Sequence, residues 1–130
     1  MSKEIIQTDK APAAIGPYSQ AVRARGFLFI SGQLPIDPNT GHLVMGDIHH
    51  QTLRVMRNIE GILNAAGCSL DCVVKATIYL KDMHDYTAVN ETYSQFFTGT
   101  KPARACVEVS RLPKEARVEI EVIAIAPEAK

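Results

Sequence analysis

Residues 46–67 read GDIHHQTLRVMRNIEGILNAAG. Ile48, Val55, Ile59, Ile62 and Ala66 recur there at the intervals of one helical face, which predicts an amphipathic helix. Asp47 is suited to cap its first turn, and Gly67 to close its end in the left-handed conformation. Gly61 falls inside this helix, where it lowers helix propensity and would permit a close neighbour. A second helix is expected over HDYTAVNETYSQFFTG, with Tyr86, Val89, Tyr93 and Phe96 as its stripe and Gly99 at its end.

The remaining apolar positions follow strand patterns. IIQT (5–8) is a short strand, and Pro12, Gly16 and Pro17 set a loop that leads into a second. FLFIS (27–31) is apolar at nearly every position, as in a strand buried on both faces. PIDPNTG then reads as a turn. In SLDCVVKATIYLKD, alternation sends Cys72, Val74, Ala76, Ile78 and Leu80 one way, and Val73, Lys75, Thr77 and Tyr79 the other. ARACVEV (103–109) and RVEIEVIAIA (117–126) are the closing strands.

These elements predict one α+β domain over residues 1–130: a mixed sheet of about six strands with two helices packed on one face. The second face, carrying FLFIS and IEVIAIA, is too apolar for water, and no third helix remains to cover it. Another copy of the chain is the expected cover, which makes the protein a homo-oligomer.

Charge narrows the function classes. The 130 residues hold 14 Lys and Arg against 14 Asp and Glu, a net charge of zero. That provides no general attraction to nucleic acid or anionic membrane. Arg23, Arg25, Arg54 and Arg57 leave room for a local basic patch, but there is no tryptophan for stacking on bases. No stretch is long enough to span a bilayer, and the first residues lack the apolar core of a signal peptide, so a cytoplasmic protein is expected. Cys68, Cys72 and Cys106 are odd in number and lack a CxxC spacing, which favours free thiols over a disulfide framework or zinc. His49 and His50 are adjacent, so on a helix they diverge by about 100° and do not easily share a metal.

Two charged residues interrupt the closing strands. If Ala103, Ala105, Val107 and Val109, with Val118, Ile120 and Val122, meet the helices, then Arg104, Cys106, Glu108, Glu119 and Glu121 lie on the second, partner-covered face. A guanidinium at an interface needs a partner. One reading is an ion pair to Glu108 or Glu119 that locks subunits together. The other is a fork that binds a substrate carboxylate in a dry crevice.

The segments IGPYSQAV, FLFISGQLPIDPNTG, AAG after the first helix, VNETYSQFF, and PAR followed by A, V, LP and VEIE together resemble the YjgF/RidA family of reactive intermediate deaminases. They occur in the family's order and cover nearly the whole chain. The TGTKPAR stretch is slightly shorter than in many members, which bears on the site entrance rather than on the arginine. The resemblance implies a chorismate-mutase-like homotrimer with three clefts between subunits. It implies an enzyme that hydrolyses enamines and imines such as 2-aminoacrylate to 2-oxo acids and ammonia, with no metal or organic cofactor. On this reading Arg104 holds the carboxylate of a small 2-imino or 2-oxo acid, and Glu119 positions the water or moves its proton. Tyr18 flanks the substrate, Ser31 offers a hydroxyl, and Gly32 a close backbone approach. Asn90 reaches the cleft as a neutral polar group, and Cys106 contributes mainly its backbone.

Plainer roles exist for each. Tyr18 can cap a core edge, Ser31 can form a turn, and Asn90 can cap a backbone group. Cys106 has no histidine nearby in sequence to activate it as a nucleophile. Two other functions compete: an RNA-acting endoribonuclease or translation inhibitor, a label some relatives carry, and a non-catalytic carboxylate-binding or holdase module. Some branches of the family lack the arginine and do not deaminate, so the presence of Arg104 favours the enzyme.

Overall fold

A computed structural model describes residues 2–127. In chain order the elements are β1 (Glu4–Ile6), β2 (Ala21–Ala24), β3 (Phe27–Gln33), α1 (Ile48–Ala65), β4 (Val73–Leu80), α2 (Tyr86–Ser94), β5 (Ala103–Glu108) and β6 (Val118–Ile125). Short 3₁₀ turns at Leu70–Cys72, Met83–Asp85 and Pro113–Glu115 connect them. The strands form one six-stranded sheet in the order β1-β2-β3-β6-β4-β5. All neighbours are antiparallel except β4 and β5, which run parallel and enclose α2 between them in sequence. The mixed α+β architecture expected from the sequence is the one observed.

Both helices lie on one face. In α1, Val55, Met56, Ile59, Ile62 and Leu63 have no accessible surface. Burial of each such side chain stabilises the fold by about 1.5–3 kcal/mol. They pack on Leu28 and Ile30 of β3, Ala76, Ile78 and Leu80 of β4, and Val118, Ile120 and Val122 of β6, within one apolar cluster. Asp47 caps α1, accepting the His50 N–H at 2.9 Å. Gly67, at φ +78°, closes it, and Cys68 N–H donates to the Leu63 carbonyl at 2.8 Å. Gly61 is explained by contact: a Cβ there would lie 2.8 Å from the Lys10 carbonyl oxygen. No helix among the described residues is long and apolar enough to cross a membrane.

The opposite face is open and carries an apolar patch along β3 and β6. Phe27 and Phe29 of β3 are 43% and 46% exposed, and Ile125 of β6 is 47% exposed. Phe27 pairs with Ile125 in register, and Phe29 with Ile123. FLFIS therefore alternates in the protomer: Leu28 and Ile30 are buried, while the two phenylalanines are uncovered. The turn before it suits its sequence. Arg25 and Gly26 both have positive φ, at 54° and 79°, the two-residue form that matches strand twist in a hairpin.

Four local expectations need correction. In β4, a register shift between Val73 and Lys75 puts Val73 in the core and leaves Val74 39% exposed, so the regular alternation fails at its start. In β5 the faces are reversed. Arg104 and Cys106 pair with Ala76 and Ile78, whose side chains meet the helices, while Ala103, Ala105 and Val107 lie toward the open face. Helix α2 stops at Ser94, well before Gly99, and Phe97 rather than Phe96 is buried. Arg23 belongs to no surface patch. It is 7% exposed, bound to Glu4 at 3.1 Å, and donates to the carbonyls of Ala66 and Pro127 at 3.0 and 2.8 Å.

Candidate active site

The expected site residues fall into two groups. The first gathers around Arg104 on the edge strand β5. Its parallel neighbour β4 and the intervening α2 bring α2 across the Arg104 side chain. Asn90 Oδ1 accepts from Arg104 Nη1 at 2.7 Å, and the Tyr86 hydroxyl accepts from Nη2 at 2.8 Å. The guanidinium also lies 5.0 Å from the Tyr93 ring centroid and 5.7 Å from that of Tyr86. Tyr86, Asn90 and Tyr93 follow one another at the four- and three-residue steps of one helix face.

This cradle fixes the cation without neutralising it. None of the ion pairs among the described residues involves Arg104. Within the chain, Arg104 makes no ion pair with Glu108 or Glu119 among those residues. Glu108 instead accepts the Met83 N–H at 2.7 Å. A bidentate pair from Arg117 Nη2 to the Asp85 oxygens, at 3.0 and 3.1 Å, anchors the start of α2 next to Tyr86. The arginine is thus oriented by neutral acceptors and aromatic faces, with its charge available to an anion. Cys106 sits beside it as a partly buried free thiol. Burial pushes its pKa up and the Arg104 charge draws it down, with a net rise. A neutral thiol lining the pocket fits these surroundings better than a thiolate nucleophile.

The second group lies on the open face. Between Ile30 and Gln33 the register of β3 against β6 shifts, so Ser31 and Gly32 form an irregularity opposite Glu121. Ser31 is tied down: its N–H donates to the Gln20 carbonyl at 2.9 Å and its hydroxyl to the Ser19 carbonyl at 2.6 Å. That binds β3 to the loop carrying Tyr18. Gln20, 3% exposed, fixes the loop in turn by donating to the carbonyls of Thr8, Ala11 and Pro12. Tyr18 itself is 55% exposed, and its hydroxyl accepts from Ile15 N–H at 3.4 Å. The Glu119 carboxyl folds over Gly32. A Cβ at residue 32 would overlap its oxygen and stand 2.8 Å from Cδ. Burial, then the Glu121 charge, pushes the Glu119 pKa above the ordinary carboxyl value. A carboxyl of this kind exchanges protons closer to neutrality.

Sequence reasoning placed Arg104 and Glu119 on the same face, and the protomer does not. Ser31, Gly32 and Glu119 come together, as do Asn90, Arg104 and Cys106. In the sequence Tyr86 and Tyr93 belong only to an apolar stripe, and their hydroxyls carry no signal until β5 lies beside them. The pairing of Tyr79 with Glu121 has no sequence signal either. Two surface grooves lie elsewhere, along α1. One, of about 640 Å³, is bordered by Lys10, Arg54, Arg57 and Glu60, and the other, of about 330 Å³, by Asp37, His50 and Arg54. Neither contains a residue of the two groups. Arg57 is bound to Glu60 at 3.0 Å and lies over Phe96, which weakens a basic-patch reading.

The chain is similar to known proteins over nearly its full length. Residues 8–126 match the family model described as Endoribonuclease L-PSP. A RutC family protein of Pyrococcus abyssi is 57% identical, covering 95% of this chain and 98% of its own. A mouse protein named 2-iminobutanoate/2-iminopropanoate deaminase is 49% identical, over 95% of this chain and 91% of its own. Among solved structures, the Rid family protein YyfA of Yersinia pestis superposes with a TM-score of 0.93 at 51% identity, over 95% of this chain and 99% of that one. Escherichia coli TdcF with bound serine superposes with a TM-score of 0.91 at 42% identity, over 95% and 99%. With its motifs, six-stranded sheet and helix pair all in agreement, the chain belongs to the YjgF/RidA family.

Proposed function

We propose that the protein is a cytoplasmic 2-iminobutanoate/2-iminopropanoate deaminase that works as a homotrimer with its sites between subunits. The observation that carries this reading is the Arg104 guanidinium, aimed by Asn90 and Tyr86 and unpaired with any carboxylate among the described residues. Such a cation suits a small carboxylate, and the serine bound in TdcF is a molecule of that class.

Assembly supplies the rest of the site. Arg104 pairs through Ala76 with Val122, and Glu119 lies three residues from Val122 along β6. Two strand spacings and three residue rises separate the two backbones by about 14 Å, on opposite faces. A second copy that packs on the open face brings a Glu119 group to the Arg104 edge of the first. The exposed Phe27, Phe29 and Ile125 supply apolar surface for that contact.

The chemistry then follows from the side chains. Arg104 binds the substrate carboxylate and fixes the imine carbon. Water adds to that carbon, forming a carbinolamine. Protonated Glu119 gives its proton to the nitrogen, the C–N bond breaks and ammonia leaves. The hydroxyl proton returns to Glu119 as the carbonyl of the 2-oxo acid forms. Proton transfer of this kind contributes roughly 10²- to 10⁴-fold.

The deciding assay generates 2-iminobutanoate with an amino-acid oxidase and traps what remains with semicarbazide. Wild type is expected to speed the loss of imine, and Arg104→Ala to lose this effect while it stays folded and oligomeric. Inert wild type would end the deaminase reading and favour a carboxylate-binding module. An Arg104→Ala protein that dissociates would assign Arg104 to the interface instead.

A further inference from the structure

Glu121 has no part in the scheme above, yet it is held more firmly than Glu119. Its carboxylate accepts a hydrogen bond from the Tyr79 hydroxyl. Tyr79 is the register partner of Glu119 on β4, and Thr77 is that of Glu121. Glu119 and Glu121 leave the same face of β6, about 7 Å apart along the strand. Tyr79 therefore stands opposite one carboxyl and bonds to the other.

We propose that Glu121, locked by Tyr79, is a positioning residue of the site that acts through Glu119, holding a proton on the Glu119 carboxyl. The catalytic meaning rests on the deaminase reading, whereas the coupling of the two carboxyls rests on geometry alone.

Two carboxyls this close on one partly buried face resist ionising together. Tyr79 donates to Glu121, whereas Glu119 is packed over Gly32, so of the two carboxyls Glu121 is the one whose charge is met by a donor and Glu119 the one assigned the proton. The same bond pushes the Tyr79 pKa up to about 12, so its hydroxyl stays a donor at neutral pH. Within the protomer the other groups around Glu119 do not reverse this, and in the assembled site the Arg104 charge is met by the substrate carboxylate. From β3 it meets Ser31 and Gly32, which are uncharged. On β4, Lys75 pairs with Ile123, four residues along from Glu119, and forms no ion pair with either carboxylate among the described residues. Lys81 is directed to Glu115 and Arg117 to Asp85. On β5 the open-face residues Ala103, Ala105 and Val107 are apolar.

This arrangement assigns a division of labour. Glu121 bears the fixed charge and never contacts substrate. Glu119 keeps the proton that the departing nitrogen needs and recovers it from the carbinolamine hydroxyl.

The test combines a carboxyl titration with a rate profile. Carbon-13 NMR of glutamate-labelled protein follows Glu119, assigned by its loss in Glu119→Gln. The same samples are assayed for 2-iminobutanoate turnover between about pH 5 and 9. In Glu121→Gln, Glu119 is expected to titrate about one pH unit lower, the shift of a like charge at this separation. The high-pH limb of kcat should move down by the same interval, with KM little changed. Tyr79→Phe, which keeps the ring, should move both in the same direction by less. An unmoved Glu119 titration in Glu121→Gln would overturn the coupling. Should wild type not turn over imines at all, the deaminase reading falls, and the titration alone decides the coupling.

Discussion

Arg104 and Glu119 stand on opposite faces of one sheet, Arg104 under α2 and Glu119 over Gly32. Their separation divides the predicted effects of mutation, since each group has its own supports.

Arg104→Lys is the sharpest test of the first group. The guanidinium spends two nitrogens on Asn90 and Tyr86 and still has donors for a carboxylate. An ammonium is a point charge that cannot keep both partners and present a planar fork. Loss of one charge-assisted hydrogen bond, about 1.5–3 kcal/mol, predicts a roughly ten- to hundredfold fall in kcat/KM. Tyr86→Phe keeps the ring beneath the cation and removes only the hydroxyl, so a smaller fall carried mainly by KM is expected. Steady-state kinetics on both variants checks the order, and equal activity in Arg104→Lys and wild type would remove the fork from the mechanism.

The arrangement of these residues was legible in the sequence only in part. Periodicity located both helices, the Asp47 cap and the Gly67 stop, because these depend on local spacing. Alternation separated the two sides of β5 but could not say which side was inside. Ala103, Ala105 and Val107 are small and apolar, and such residues suit an uncovered interface as well as a core. The shift at Val73–Lys75 adds an extra residue that no alternating pattern reveals. Arg104 drew notice as a charge in a strand, yet its cradle of Asn90 and Tyr86 depends on how α2 crosses β5, a long-range contact with no local signature.

The open face predicts an assembly. Phe29 is 46% exposed and lies in register with Ile123, at the centre of the uncovered sheet. Phe29→Glu places a charge where a second copy would exclude water, and a desolvated unpaired charge costs several kcal/mol. Sedimentation is expected to show a trimer in wild type and a monomer in the variant, with an unchanged far-UV spectrum because the ring faces away from the core. Deaminase activity should vanish with the trimer. A monomeric variant that retains full activity would place the complete site within one chain.

The raised pKa of Glu119 predicts the sign of a pH effect on stability. Burial and the Glu121 charge make the folded carboxyl hold its proton above the ordinary value of 4.5. The folded state then binds more protons than the unfolded state at pH values between the two. This contribution is fully present below about pH 4.5 and is lost as pH rises through the folded pKa. Asp82, lowered mainly by the His84 backbone hydrogen bond, acts with the opposite sign and at lower pH. The difference between wild type and Glu119→Gln therefore isolates the site. Thermal melts at fixed protein concentration should show the variant gaining on wild type as pH is raised above 4.5. A constant difference would mean that Glu119 titrates normally.

Gly32→Ala separates stability from chemistry at the same carboxyl. Gly32 does not have the left-handed backbone that only glycine tolerates well, so an alanine can adopt its conformation. Replacing glycine at a compatible position stabilises by about 0.4–1 kcal/mol through the unfolded chain. The three atoms nearest the added Cβ all belong to Glu119, and the one it overlaps is the end of a flexible side chain. The carboxyl must therefore swing away, at little cost to the fold. Melting temperature is expected to hold or rise slightly. Turnover should fall roughly tenfold or more, since a displaced general acid forfeits part of its 10²- to 10⁴-fold contribution. The fall should appear in kcat, because Arg104 still binds the carboxylate. If kcat is untouched while the melt is unchanged, Glu119 does not act from the position it occupies over Gly32, and proton transfer must be assigned to another group.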